Sequence, residues 1–259
     1  MSLACLPAIL YSAKALLTKS DPGSKVALST CPTQFMVPTH NVLLPRVVTT
    51  SSSDHQLLGK LSLYTNAVNA GVLAAPRAWN CHASSTSDGL TLTVYPRYET
   101  WTTPSGVSWD KKAPSQRVGI TMHIGGGCVS CLEQQTCPYF DSARKDYEGY
   151  WNLNPDGGVS QRPDHFCAQP RDEVVRHTST SVVEFRDPPH IAGIGELSGG
   201  ANSSAGYIVL TKTGDVILSC TLPKEQSNTC HTVMKWFLST HQGDEVAMVI
   251  KGRIHYPHV

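Results

Sequence analysis

Alternation of apolar and polar residues, not helical spacing, organises most of this chain. Leu57 to Tyr64 sets Leu57, Gly59, Leu61 and Leu63 at every second position, which predicts a strand. Gly71-Val72-Leu73-Ala74-Ala75 is a short apolar strand closed by Pro76. Leu90 to Tyr95 alternates Leu90, Leu92 and Val94 with Thr91 and Thr93, and Thr86-Ser87-Asp88-Gly89 supplies a hairpin turn ahead of it. Val118 to Ile124 reads as a buried strand running into Gly125-Gly126-Gly127. Tyr207 to Leu210 and Asp215 to Cys220 predict a second hairpin around Thr211-Lys212-Thr213-Gly214, and Glu245 to Tyr256 predicts a final strand.

Helical spacing is strongest over Glu225 to Thr240, where Cys230, Val233, Met234 and Phe237 share one face behind Pro223. Asp172 to His177 predicts a short helix after Pro170, and Asp187-Pro188-Pro189 must end any helix that precedes it. Polar or irregular stretches fill the rest. They are residues 49–54 (a loop or helix cap), 98–114, an aperiodic surface excursion over 141–170, and a Gly/Ser-rich loop over 193–206. The expected fold is α+β: a mostly antiparallel sheet with one main C-terminal helix, stapled by disulfides. Its expected layout is a leader and linker over 1–30, a single globular domain over 31–242, and a tail over 243–259.

Composition narrows the setting. Charged residues make up 16% of the chain and 49 of its 259 residues are Ser or Thr, so the polar surface is hydroxyl-rich instead of ionic. The net charge of +1 provides no field for nucleic acid or an anionic membrane. No run of about 18 apolar residues is present, so no membrane-spanning helix is expected. Leu3 to Leu17 is apolar but broken by Pro7, Ser12 and Lys14, which reads as a degraded export signal or as a short helix without a targeting role.

The cysteines change the picture most. Of nine, Cys5 lies in the leader; the other eight are Cys31, Cys81, Cys128, Cys131, Cys137, Cys167, Cys220 and Cys230. An even count in a hydroxyl-rich chain predicts disulfides and a secreted or envelope-associated protein. Cys220 closes a strand and Cys230 lies about two turns into the following helix, so a bridge between them would pin helix to strand. Cys128-Val129-Ser130-Cys131 with Cys137 has two rival readings: zinc ligands completed by Cys167, His123 or His165, or a thioredoxin-like redox pair. Stapling is preferred, because the second compact ligand pair of a structural zinc site is missing.

Several segments together resemble a family of uncharacterised secreted or lipid-anchored proteins of Gram-positive, especially actinobacterial, origin. They are Cys31-Pro32-Thr33-Gln34-Phe35, Leu73-Ala74-Ala75-Pro76-Arg77-Ala78-Trp79-Asn80-Cys81, Cys128 to Cys131 with Gln134 to Pro138, Asp187-Pro188-Pro189 and Cys220-Thr221-Leu222-Pro223. Ala78 departs from the usual glycine before the tryptophan. The resemblance spans roughly residues 31 to 240. It implies export and a Cys31–Cys81 bridge, and it supplies no catalytic residue.

Candidate chemistry is sparse. Gly195-Glu196-Leu197-Ser198-Gly199 falls one position short of a hydrolase nucleophile elbow and reads as a glycine-rich loop. His123 ahead of three glycines resembles an oxyanion loop, yet a strand histidine is more simply structural. Cys81-His82 faces opposite ways on a strand, and an even cysteine count leaves no thiol for Cys–His catalysis. No catalytic residue, metal ligand or cofactor is therefore assigned. The aromatics Trp101, Trp109, Tyr147 and Trp151 in predicted loops suit a sugar or protein surface. The expected function is a non-enzymatic binding domain for a cell-wall, carbohydrate or protein partner. The alternatives are an extracellular hydrolase with a dispersed site and a thiol-redox or zinc protein centred on Cys128, Cys131 and Cys137.

Overall fold

The computed structural model describes residues 24–35, 47–50, 56–66, 71–86, 89–96, 117–125, 135–153, 167–211 and 214–240. The strands are β1 (Ser24–Thr30), β2 (Thr33–Phe35), β3 (Val47–Thr50), β4 (Leu61–Thr65), β5 (Val72–Pro76), β6 (Asn80–Ser85), β7 (Gly89–Tyr95) and β8 (Gly119–Gly125). Helix α1 (Asp141–Leu153) leads to β9 (Val174–His177), β10 (Val182–Asp187), β11 (Ser204–Leu210) and β12 (Asp215–Thr221). A 3-10 turn (Lys224–Gln226) then opens helix α2 (Ser227–Thr240).

These strands form a four-stranded sheet, ordered β3-β1-β4-β5, and an eight-stranded sheet, ordered β2-β6-β7-β8-β12-β11-β10-β9. The sheets are mixed, which corrects the mostly antiparallel expectation: β1 pairs with β4 and β2 with β6 in parallel. Parallel neighbours need a crossover, and neither crossover has a local sequence signature. Both predicted hairpins form, β6 with β7 and β11 with β12.

Antiparallel register gives the large sheet two contrasting faces. Leu92, Val94, Ile120, Met122, Val216, Leu218 and Val209 point to one side, where they pack with Leu63, Leu73 and Ala74 of the small sheet and with Val233, Trp236 and Phe237 of α2. Burying each such side chain contributes roughly 1.5–3 kcal/mol, so this layer dominates the stability. On the opposite face Tyr139, Phe140 and Ala143 cover Val183, Phe185, Ile208 and Ile217, but only over β10 to β12. The part of that face over β6 to β8 carries Ser84, Thr91, Thr93, Thr121 and His123 instead.

Four other expectations change. Residues 24–30, expected as linker, are β1, with Val26 and Leu28 buried between exposed Lys25, Ala27 and Ser29. Thr49 and Thr50, expected in a loop, end β3 as an edge partner of β1. Asp172 to His177 contains the edge strand β9 and not a helix; pairing with β10 overrides a pattern in which every residue of the strand itself but Val175 is exposed. The 141–170 excursion holds α1, whose Ala143 and Tyr147 form a short i, i+4 stripe too brief to stand out. The predicted strand over 245–256 lies outside the described residues.

Among the described residues three disulfides are present: Cys31–Cys81, Cys137–Cys167 and Cys220–Cys230. The last ties β12 to α2, as the spacing predicts. Replacing Cys220 and Cys230 together by Ala is expected to cost about 2–3 kcal/mol in urea unfolding, the chain entropy of a loop this short. A loss well below that range would show that helix packing alone holds the junction.

Candidate ligand-binding site

The Thr-x-Thr and Thr-x-His alternations of β7 and β8 place their polar members on one face by strand periodicity alone. Register then aligns them across strands: Ser84 opposes Thr91, Thr91 opposes His123, Thr93 opposes Thr121, and Thr121 opposes Ser219. Further along, Thr221 opposes Ser204 and Ser204 opposes Asp187. Ser204 Oγ is 2.9 Å from Ser219 Oγ and 2.5 Å from Thr221 Oγ1, so the buried hydroxyls satisfy one another.

Beyond Asp187, Pro188-Pro189 turns the chain off β10 and the segment to Ser203 folds over this hydroxyl face. The His190 N–H donates to Gly200 O at 2.7 Å and the Ser198 N–H to Gly195 O at 2.8 Å. Ser198 Oγ accepts from the Gly193 N–H at 2.9 Å and donates to Gly193 O at 3.1 Å, while Arg117 holds Ser198 O at 2.7 Å. Glycine is required here by close approach. A Cβ on Gly193 would collide with the Asp187 carboxylate, and one on Gly195 would lie 2.6 Å from Ser204 Oγ.

Two buried carboxyls anchor the loop from behind. Glu173 accepts from Tyr139 Oη at 2.9 Å and from the Ile194 N–H at 3.2 Å. Asp187 Oδ2 accepts from the Gly195 N–H at 3.2 Å. Among the described residues Asp187 Oδ1 has no hydrogen-bond partner, and the Asp187 carboxyl as a whole neighbours that of Glu173. Burial, then the proximity of Glu173, pushes the Asp187 carboxyl up to about 8, against a small downward pull from the Gly195 amide. Burial and Glu173 also raise the Tyr139 phenol. At the far end of β12, burial pushes the enclosed Asp215 up to about 7, eased slightly by its own amide and that of Gly125.

Between loop and sheet lies a cavity of about 280 Å³ lined by Ser84, Thr86, Thr91, Thr121, His123, Gln135, Gly193, Ile194, Glu196 and Ile217. His123 Nδ1 is 3.0 Å from Thr91 Oγ1. All but Ile194, Ile217 and Gly193 bring a polar side chain, and among the described lining residues Glu196 is the one carboxylate. A space of this size suits a small molecule, at the lower end of the usual range for ligand sites.

Few of the residues singled out by sequence meet here. His123, read as structural, lines the cavity. Ser198 is buried and bonded to Gly193, so it is not offered as a nucleophile, whereas its neighbour Glu196 reaches the cavity. Tyr147 lies on the buried face of α1 at 5% exposure. Trp101 and Trp109, and the side chain of Trp151, lie outside the described residues, as do Cys128 and Cys131. Cys137 is bonded to Cys167, which withdraws both thiolates from a zinc or redox cluster. Among the described residues no three His, Cys, Asp or Glu side chains converge as metal ligands. The signal that sequence reading passed over was the shared parity of Thr91, Thr93, Thr121 and His123.

No described helix is long and apolar enough to cross a membrane. Compared with known protein families, curated proteins and solved structures, the chain matches none.

Proposed function

We propose that this chain is a secreted or envelope-associated binding domain that takes a small hydroxyl-bearing ligand, the size of one sugar unit, in the cavity over β6 to β8. One observation carries the reading: a roofed pocket whose floor is the register-aligned row of Ser84, Thr91 and His123, with Thr121 on the same face in the adjacent row. Such a floor both donates and accepts, which matches the hydrogen-bonding of a polyol better than that of an apolar ligand. The three disulfides support an oxidising compartment.

The Thr91–His123 contact favours a second reading, a hydrolase with a hydroxyl nucleophile and its base. Against it, the Ile194 and Gly195 N–H groups that would hold an oxyanion from the loop already donate to Glu173 and Asp187. Binding is the stronger reading.

Thr121→Val tests it by removing a floor hydroxyl at nearly constant volume. The variant is expected to bind monosaccharides about five- to tenfold more weakly in titrations followed by NMR, the value of one neutral hydrogen bond. Unchanged affinity with the fold intact would place the ligand elsewhere, and turnover of a glycoside or ester that Thr91→Val abolishes would favour the hydrolase.

A further inference from the structure

A second cavity, of about 310 Å³, opens in the small sheet and shares no described lining residue with the one over β6 to β8. It lies where two strands part. From Ser24 to Ala27 the pairing of β1 is with β3, and its parallel pairing with β4 starts only at Leu28 opposite Leu63. Ahead of that point the first residues of β1 and β4 wall a wedge, whose apolar side comes from the buried Val26, Leu58 and Leu61.

The charged side chains of the described lining are both cations, Lys25 and Arg77, and Ser62 adds a hydroxyl. Neither cation meets a carboxylate among the described residues. The sequence accounts for this: from Pro22 to Ser87 it holds four Lys or Arg residues, Lys25, Arg46, Lys60 and Arg77, against one Asp and no Glu.

Arg77 is held in place. Its Nε–H donates to Leu61 O at 3.0 Å and an Nη2–H donates to Gly59 O at 2.7 Å, so one edge of the guanidinium is clamped to the backbone. The outer edge, one N–H on each Nη, has no partner among the described residues. That edge is the one that takes an anion through two parallel hydrogen bonds. Ala78, next along, has φ at 62°, a left-handed conformation that disfavours a β-carbon. The turn that carries Arg77 back over β4 is thus kept against local preference.

We propose that this wedge is an anion site that binds a phosphate monoester carried on a small apolar group. Two cations and a hydroxyl match a head group with close to two negative charges and three terminal oxygens, and the apolar side accommodates its substituent. The test uses the full chain and three probes that share a phenyl ring: phenyl phosphate, benzoate and benzyl alcohol. Amide shifts of Val26, Gly59 and Ser62 are followed by NMR at about pH 7.5, above the second ionisation of the phosphate. Phenyl phosphate is expected to bind about tenfold more tightly than benzyl alcohol and about threefold more tightly than benzoate. Lys25 is exposed, so Lys25→Gln is expected to keep the melting temperature and to weaken phenyl phosphate about threefold, with benzyl alcohol unchanged. Arg77→Lys keeps the charge, loses the fork and is expected to weaken phenyl phosphate about fivefold.

Equal affinity for phenyl phosphate and benzyl alcohol, or full phosphate binding in Lys25→Gln, would overturn the anion site. Benzoate bound as tightly as phenyl phosphate would overturn its assignment to a monoester. Phenyl phosphate that shifts Thr91 and Thr121 in place of Val26 and Ser62 would put the anion in the other cavity and end the proposal.

Discussion

Raising the pH from about 5 to 8 is expected to destabilise the folded protein by a few kcal/mol through the buried Asp187–Glu173 pair, and Asp187→Asn is expected to remove most of that loss. An ordinary aspartate ionises near 4, as it will in the unfolded chain, whereas in the folded state this one is pushed up to about 8. Between those values the folded chain holds a proton that the unfolded chain releases, so each pH unit costs about 1.4 kcal/mol of stability. The contribution is fully present below about pH 4, falls across the window from about 4 to 8, and levels off above it. The cause is burial followed by the adjacent Glu173 carboxyl: two acids facing the amides of one loop cannot both ionise cheaply.

Asparagine keeps an oxygen for the Gly195 N–H and has nothing to ionise. Urea unfolding across the same pH range checks the expectation: wild type falls steeply, Asp187→Asn falls less, and the variant is the more stable of the two at the alkaline end. Some slope remains from Asp215, pushed up to about 7 by burial. A variant as pH-sensitive as wild type would show that Asp187 is not the group that titrates.

The second large effect concerns Cys31–Cys81. Replacing both by Ala is expected to cost about 4 kcal/mol, more than loss of Cys220–Cys230, because the bond closes a loop of 50 residues against 10. Its position adds to its length. Cys31 is fully buried between β1 of the small sheet and β2 of the large one, its amide donates to Thr65 O at 2.7 Å, and Cys81 belongs to β6. The bond thus clamps the two sheets where the chain passes between them. Hydrogen exchange should show the loss first at β1 and β4, with β7, β8 and β12 least affected. Equal loosening everywhere, or a cost under about 1 kcal/mol, would contradict this chain-entropy account.

The elements legible from sequence were those whose order is local. Both hairpins, the apolar parity of β7, β8 and β12, and helix α2 follow from spacing within a short window. The Cys220–Cys230 staple is equally short in range, set by a strand ending 10 residues before a helical turn. Edge strands escaped because partners, not side-chain pattern, make them: β9 exposes Val174 and has a single half-buried residue facing the core. The two parallel pairings depend on crossovers that no local residue announces.

What sequence by itself determined is therefore a strand-rich, disulfide-stapled chain with a C-terminal helix and a polar parity along β7 and β8. Whether those threonines and His123 faced solvent, a covering helix or a cavity was decided only by tertiary structure. Parity says which side chains share a face, but not what lies above them. That depends on the loop between β10 and β11, far along the chain from His123, held down by Glu173 and Asp187. Such long-range closure is a sum of contacts among distant residues, and no window of sequence contains it.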